Sequence, residues 1–305
     1  MKILAFGEIL FDIFDGSEKL GGAPLNFCSD MVKLGAKGYI LSALGSDRLG
    51  SNAIAAMDNI GVDYSLSNTE SLFGTGSCIV TTDDDGNASY ELVEGVAYDH
   101  ITVSDEEISR INAEDFDVFY FGTLAQRNIS SKATLDKIFA SCSFKNVFFD
   151  INIRRMYYSN DIIKAGLERA TILKINYSEC ELLCNMGFCM TRFGDKSDNE
   201  SLRAIAAELC ENYSIETVII TLDKDGACAY RHSTGEFCRS DKADGEVIST
   251  VGAGDAFSAC FIYNYVDGKD HSTCVERANI LGDYTVGYLE AIPPYTEELL
   301  GRIRD

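Results

Sequence analysis

No block of lysine and arginine occurs anywhere in these 305 residues, and 26 basic side chains stand against 48 acidic ones, a net charge of −22. A surface that acidic repels polyanions, so neither nucleic acid nor an anionic membrane is expected as a partner. A nucleotide substrate is not excluded, because backbone N–H groups can build a local anion site without basic side chains. No apolar run approaches the ~18 residues that would span a bilayer. Residues 1–8 lack the long apolar region of a signal peptide, so a cytoplasmic location is expected. The eleven cysteines include no C-x-x-C pair and several sit in apolar runs, as small core residues of a reducing compartment do. Cys180, Cys184 and Cys189 lie close in sequence, but the nearest histidine is His232 and zinc usually takes four ligands, so no metal is assigned there. There is no G-x-x-x-x-G-K-[ST], which excludes a P-loop. No G-x-G-x-x-G follows the first apolar run, which weighs against a dinucleotide oxidoreductase. With three prolines, no linker composition and no internal repeat, a single domain over 1–305 is the simplest organisation.

What is present is alternation. Strand-like apolar runs at 2–14, 39–44, 118–121, 147–151, 172–175 and 218–222 are separated by helical periodicity at 24–34, 49–60, 131–139, 161–170 and 201–213. That order predicts an α/β fold, a mostly parallel sheet with helices on both faces. One region departs from it: residues 74–82 and 88–93 read as two alternating strands about the acidic turn Asp83-Asp84-Asp85-Gly86-Asn87. A hairpin inside an α/β chain predicts a small antiparallel sheet, placed as a lid.

Four stretches could carry chemistry. In Ser249-Thr250-Val251-Gly252-Ala253-Gly254-Asp255, the glycines form the entry turn of an apolar helix, and free N–H groups there make a concave anion site. An acid in that first turn repels phosphate, yet is placed to act as base on a hydroxyl arriving beside it. Alone, the same residues read equally as a glycine turn followed by an acid that the helix dipole favours. In Leu20-Gly21-Gly22-Ala23-Pro24-Leu25-Asn26, Pro24 suits a first helical turn and Asn26 faces the helix start. Together with Asp12 it offers paired acceptors and donors for vicinal hydroxyls, although a capping Asn and a surface Asp would look alike. Asp150-Ile151-Asn152-Ile153-Arg154 ends a buried strand with alternating polar residues that would project from the sheet edge. Asn176-Tyr177-Ser178-Glu179 follows another strand, where ligands of open α/β sheets bind, although Glu179 also reads as a first-turn acid.

In this order and spacing the set resembles the PfkB (ribokinase-like) carbohydrate kinases. The glycine pair with Asn26 and the Gly252-Ala253-Gly254-Asp255 turn resemble the two signatures, and Asn176-x-x-Glu179 looks like the magnesium-linked motif. The stretches 7–12, 121–127 and 149–154 look like the fructokinase branch. The resemblance implies a Rossmann-like domain with a discontinuous β-sheet lid, about 12–20 and 66–100, and a dimer formed through the lid. It implies Asp255 as base and Gly252, Ala253 and Gly254 as anion hole. Asp12, Gly22, Asn26, Asn152 and Arg154 would hold the sugar. Asn176, Thr221, Asp225, Gly226 and Asn279 would line the site of ATP, and Glu179 would hold Mg²⁺ through water. Two positions depart from the pattern. Ser249 stands where the family usually has Asp, so K⁺ activation is doubtful, and Asp223 stands where the nucleotide turn usually has Gly. Ala23-Pro24-Leu25 and Gly76-Ser77 hold no cation where sugar-phosphate kinases commonly place Lys and Arg, so a neutral sugar is expected, fructose foremost.

Overall fold

The first apolar run is two strands rather than one, β1 (Lys2–Phe6) and β2 (Leu10–Phe14), separated by Gly7-Glu8-Ile9. They open the first of two compact units in the computed structural model, which describes residues 1–14, 16–82, 88–154, 157–241 and 247–304. Unit 1 is Met1–Phe116 with Ala125–Ser143. It continues through β3 (Ser17–Gly21), α1 (Ala23–Lys33), β4 (Lys37–Leu41), β5 (Ala43–Gly45), α2 (Arg48–Ile60) and β6 (Asn68–Glu70). Then come β7 (Gly76–Thr82), β8 (Ala88–Leu92), α3 (Asp105–Glu114) and α4 (Ile129–Ser141). β1 pairs parallel with β4 across the α1 crossover, the expected βαβ arrangement.

The predicted hairpin strands are β7 and β8, paired antiparallel; the turn 83–87 lies outside the described residues. Their sheet, ordered β3-β2-β7-β8, is mixed and not purely antiparallel, because β2 pairs parallel with β7. Short turns force neighbouring strands to run antiparallel, whereas the long connection from β3 to β7 brings the chain back in the same sense. Below β8 the unit is fastened by a buried ion pair. Arg127 Nε and Nη2 donate to Asp99 at 2.7 and 3.0 Å, and Nη2 also donates to the Val93 carbonyl at 2.6 Å. Asp99 accepts the Gly95 and Val96 N–H groups as well, so one carboxylate sets the chain leaving β8.

Unit 2, Asp117–Leu124 with Phe144–Asp305, carries β9 (Val118–Phe121), β10 (Asn146–Asp150), α5 (Asn160–Arg169), β11 (Ile172–Asn176), α6 (Tyr177–Asn185), α7 (Asn199–Tyr213) and β12 (Thr217–Thr221). It continues with β13 (Ala227–Arg231), β14 (Glu236–Ser240), α8 (Ala253–Val266), α9 (His271–Val286) and α10 (Glu297–Arg304). β9 to β12 run parallel in sequence order, buried on both faces, which is why each reads as a continuous apolar run. β13 and β14 add antiparallel strands. α9 closes on α8 at Gly282, where a Cβ would lie 3.5 Å from the Ala253 carbonyl oxygen. None of the eleven cysteines forms a disulfide, and eight of them are buried. Among the described residues no helix is long and apolar enough to cross a membrane.

His271, the first residue of α9, is fully buried, its Nε2 at 3.0 Å from the Thr217 hydroxyl and its Nδ1 without a partner. Burial, with Arg231 adding to it and Asp270 opposing, lowers its pKa from 6.5 to about 4. Between those values the unfolded chain binds a proton that the folded chain does not, so stability falls as pH drops through that window, by at most about 1.4 kcal/mol per pH unit. Urea midpoints at pH 7 and pH 5 should therefore differ by more in the wild type than in His271→Gln. Equal differences would contradict this assignment.

Candidate active site

Among the described residues eight α-helices begin with a side-chain cap, in which Asp47, Ser104, Asn128, Ser159, Asn176, Asp198, Asp270 or Thr296 accepts a first-turn N–H. α1 and α8 do not. Their caps are Gly22, at φ 109, and Gly252, at φ 80, with no side-chain hydrogen bond. These two starts are the ones the sequence marked, and at neither does the cap residue offer a side-chain acceptor to the first-turn N–H groups.

At α8 the glycine is required twice over. Its φ is left-handed, and a Cβ on Gly252 would lie 2.4 Å from the Ala291 carbonyl oxygen. Ala253, Gly254 and Asp255 then form the first turn; Gly254 is exposed and Asp255 half-buried. Directly against this turn lies a residue that the sequence analysis passed over. Lys174 of β11 is 7% exposed, and its Nζ is 3.6 Å from where a Cβ on Gly254 would be. The ammonium donates to both Asp150 oxygens, at 3.1 and 3.0 Å. Asp150 is fully buried and so does not project from the sheet edge as expected; its partner is the residue facing it in register on β11. Burial works against the Lys174 charge, but Asp150, Glu179 and Asp255 outweigh it and hold the pKa above the usual lysine value.

Asn176 and Glu179 form a reciprocal cap. Asn176 Oδ1 accepts the Glu179 N–H and Glu179 Oε2 accepts the Asn176 N–H, both at 2.8 Å. Glu179 Oε1 accepts the Ile153 N–H at 2.7 Å, which pins the segment after β10. In that segment Asn152 has φ +44, an uncommon left-handed conformation, and Arg154 is exposed. Glu179 is 5% exposed with both oxygens committed to backbone, so it does not fit direct ligation of Mg²⁺. Burial raises its pKa, with Lys174 opposing. Among the described residues no group of three His, Cys, Asp or Glu could hold a metal ion.

In unit 1, the α1 start gathers three of the five residues expected to hold sugar. A Cβ on Gly22 would lie 2.4 Å from the Glu8 carbonyl oxygen, so the chain ahead of α1 packs on β2's entry. The Gly22 carbonyl accepts the Asn26 N–H at 2.9 Å, and Asn26 is buried. Asp12 is half-buried on β2, its Oδ2 3.8 Å from where a Cβ on Gly21 would stand.

The pattern described as pfkB family carbohydrate kinase matches residues 3–298. The chain belongs to this family. It is 26% identical over 82% of its length to an uncharacterized sugar kinase of Archaeoglobus fulgidus, covering 92% of that protein. It is 23% identical over 95% of its length to the ATP-dependent 6-phosphofructokinase of Thermoanaerobacterium thermosaccharolyticum, covering 89% of it. The fructokinase of Xylella fastidiosa, solved with bound ATP, superposes with a TM-score of 0.81 over 99% of this chain and 98% of its own, at 20% identity. The α/β architecture is therefore the family's, and the protein is a carbohydrate kinase.

For a pfkB kinase the turn after β12 departs from expectation in residue but not in shape. Asp223 occupies the expected glycine position and adopts φ +58, the left-handed conformation a glycine would take there. Lys196 holds it by an ion pair and stacks over the Tyr177 ring. Gly226 closes the turn by accepting the Leu222 N–H at 2.8 Å, and Arg239 donates to the Asp225 carbonyl at 3.4 Å. Thr221 ends β12 opposite Asn176 in register. Asn279 donates to the Ser240 carbonyl at 2.8 Å, which ties α9 to the end of β14.

Proposed function

We propose that this kinase transfers the γ-phosphoryl group of ATP to a hydroxyl of a free sugar, with fructose as the foremost acceptor and fructose 6-phosphate as product. The observation that carries the reading is the uncapped Gly252 helix start with Asp255 in its first turn. In this reading the Asp255 carboxylate takes the proton of the acceptor hydroxyl, and that oxygen bonds to the γ-phosphorus. The bond from phosphorus to the bridging oxygen breaks, and its electron pair leaves on ADP. Backbone N–H groups at Gly252, Ala253 and Gly254 meet the charge on the transferring oxygens, the Ala253 N–H by exchanging its long 3.3 Å bond to the Thr250 carbonyl. Asn176, Thr221, Asp225, Gly226 and Asn279 serve the nucleotide; Asp12, Gly22, Asn26, Asn152 and Arg154 serve the sugar, with the mixed sheet of unit 1 as lid. With both Glu179 oxygens committed, a metal would meet that residue only through water, and no step depends on it.

A neutral acceptor is supported by the absence of cations where a sugar phosphate would need them. Ala23 is buried at the α1 start, and a Cβ on Gly76 would lie 2.6 Å from both the Ile9 carbonyl oxygen and the Tyr98 ring, so an arginine there would need repacking. A second reading, 2-keto-3-deoxygluconate, is favoured by exposed Arg154, which could pair with its carboxylate. Release of ADP across fructose, 2-keto-3-deoxygluconate, ribose, a nucleoside and fructose 6-phosphate should give the highest kcat/KM with fructose. A preference for fructose 6-phosphate would defeat the argument from missing cations.

Monovalent cations should have little effect. The Ser249 hydroxyl accepts the Val251 N–H at 3.2 Å and brings no negative charge to the α8 turn. At matched ionic strength, turnover in K⁺, Na⁺ and a bulky organic cation should agree within about twofold, since a hydroxyl attracts a cation far less than a carboxylate. A several-fold rise specific to K⁺ would refute this reading of Ser249.

A further inference from the structure

Buried lysines are rare because removing an ammonium from water costs several kcal/mol unless a partner offsets it. Lys174 has such a partner in Asp150, so a structural ion pair accounts for its burial but not for its position. The pair could sit anywhere along β10 and β11. It joins the last residue of β10 to the middle residue of β11, with the ammonium against Gly254. The charged groups around it come from every element meeting there: Asp150 on β10, Glu179 on α6 and Asp255 on α8. Three carboxylates beside a phosphate-binding turn would repel the γ-phosphate, and this ammonium is the cation placed among them.

We propose that Lys174 is a positioning residue for phosphoryl transfer, a fixed cation behind the Gly254 turn that offsets the carboxylates and stabilises the negative charge gathering on the transferring group. The proposal rests on the reading of α8 as the transfer site. Its weight falls on the transition state, so it predicts loss of kcat with little change in KM for the sugar.

The test separates this role from that of a structural counter-ion. Lys174→Met alone strands a buried carboxylate and lowers stability. Lys174→Met combined with Asp150→Asn removes both charges, so the double variant should fold with a Tm close to wild type. Its kcat should still fall at least about tenfold, with KM for fructose within about threefold, because the cation is gone. Wild-type kcat in the folded double variant would overturn the proposal and leave Lys174 a structural partner of Asp150. If the double variant fails to fold, Lys174→Met alone decides, assayed at a temperature where near-UV circular dichroism shows it folded. A kcat at least about tenfold lower with KM for fructose within about threefold supports the proposal, and wild-type kcat overturns it. Asp255→Asn, assayed alongside, keeps the two readings apart. If it retains turnover, the site assignment itself fails; if it is slow while the folded Lys174 variants are normal, only the role of Lys174 fails.

Discussion

Asp255→Asn should lower turnover at least about a hundredfold, the usual scale for losing a general base, while ATP binds with near-normal affinity. Asn keeps the shape of the side chain and can still accept a hydrogen bond from a sugar hydroxyl, but it cannot take the proton. Removing a carboxylate from the first turn of α8 also removes a charge that repels phosphate, so weaker nucleotide binding is not expected. The measurement is kcat by coupled ADP release, with nucleotide affinity by calorimetry on the same protein. Near-wild-type turnover would remove Asp255 from the role of base. Loss of ATP binding in parallel with turnover would make it a structural residue of the turn.

Gly252→Ala should be nearly as damaging, for a different reason. The new Cβ would sit 2.4 Å from the Ala291 carbonyl oxygen at a left-handed φ, so either the turn or the 291 segment must move. Misplacing one donor of an anion hole costs about 10²–10³ in kcat, and the backbone strain costs about 1–3 kcal/mol of stability. Gly268, just beyond α8, provides the control. Its φ is +86, but nothing lies within 4 Å of an added Cβ. Gly268→Ala should lose stability on the scale of the strain alone and keep wild-type turnover. If both variants keep full activity, the α8 start is not the transfer site; if both lose it equally, global destabilisation explains the effect.

Much of this was legible in the residues. Strands buried on both faces are largely apolar, so the cores of β9 to β12 stood out at 118–121, 147–151, 172–175 and 218–222 and shifted by no more than a residue at either end. β14 was missed because Glu-Phe-Cys-Arg-Ser, half-buried along most of its length, carries no such run. The two glycine helix starts were visible because glycine stood where a capping Ser, Asp or Asn would be usual. What a linear reading could not supply was pairing between strands. Asp150 and Lys174 lie 24 residues apart, and each alone looks like the polar position of an alternating strand. The available signal was an opposite charge in each of two adjacent apolar strands, at the end of β10 and in the middle of β11, which parallel register brings face to face. Asn279 and Glu179 carry residue types expected of ligands, and hydrogen bonds that only the fold reveals also engage them: Asn279 Nδ2 donates to the Ser240 carbonyl, and Glu179 accepts the Asn176 and Ile153 N–H groups.

The decisive measurement is a ³¹P NMR time course of the purified kinase with ATP, Mg²⁺ and equal concentrations of fructose and fructose 6-phosphate. A transfer site built around Asp255, with no cation at Ala23 or Gly76, should consume fructose. A new fructose 6-phosphate monoester would then accumulate in step with ADP, with no bisphosphate signal. Conversion of the added fructose 6-phosphate to a bisphosphate, or release of inorganic phosphate with neither sugar modified, would contradict it.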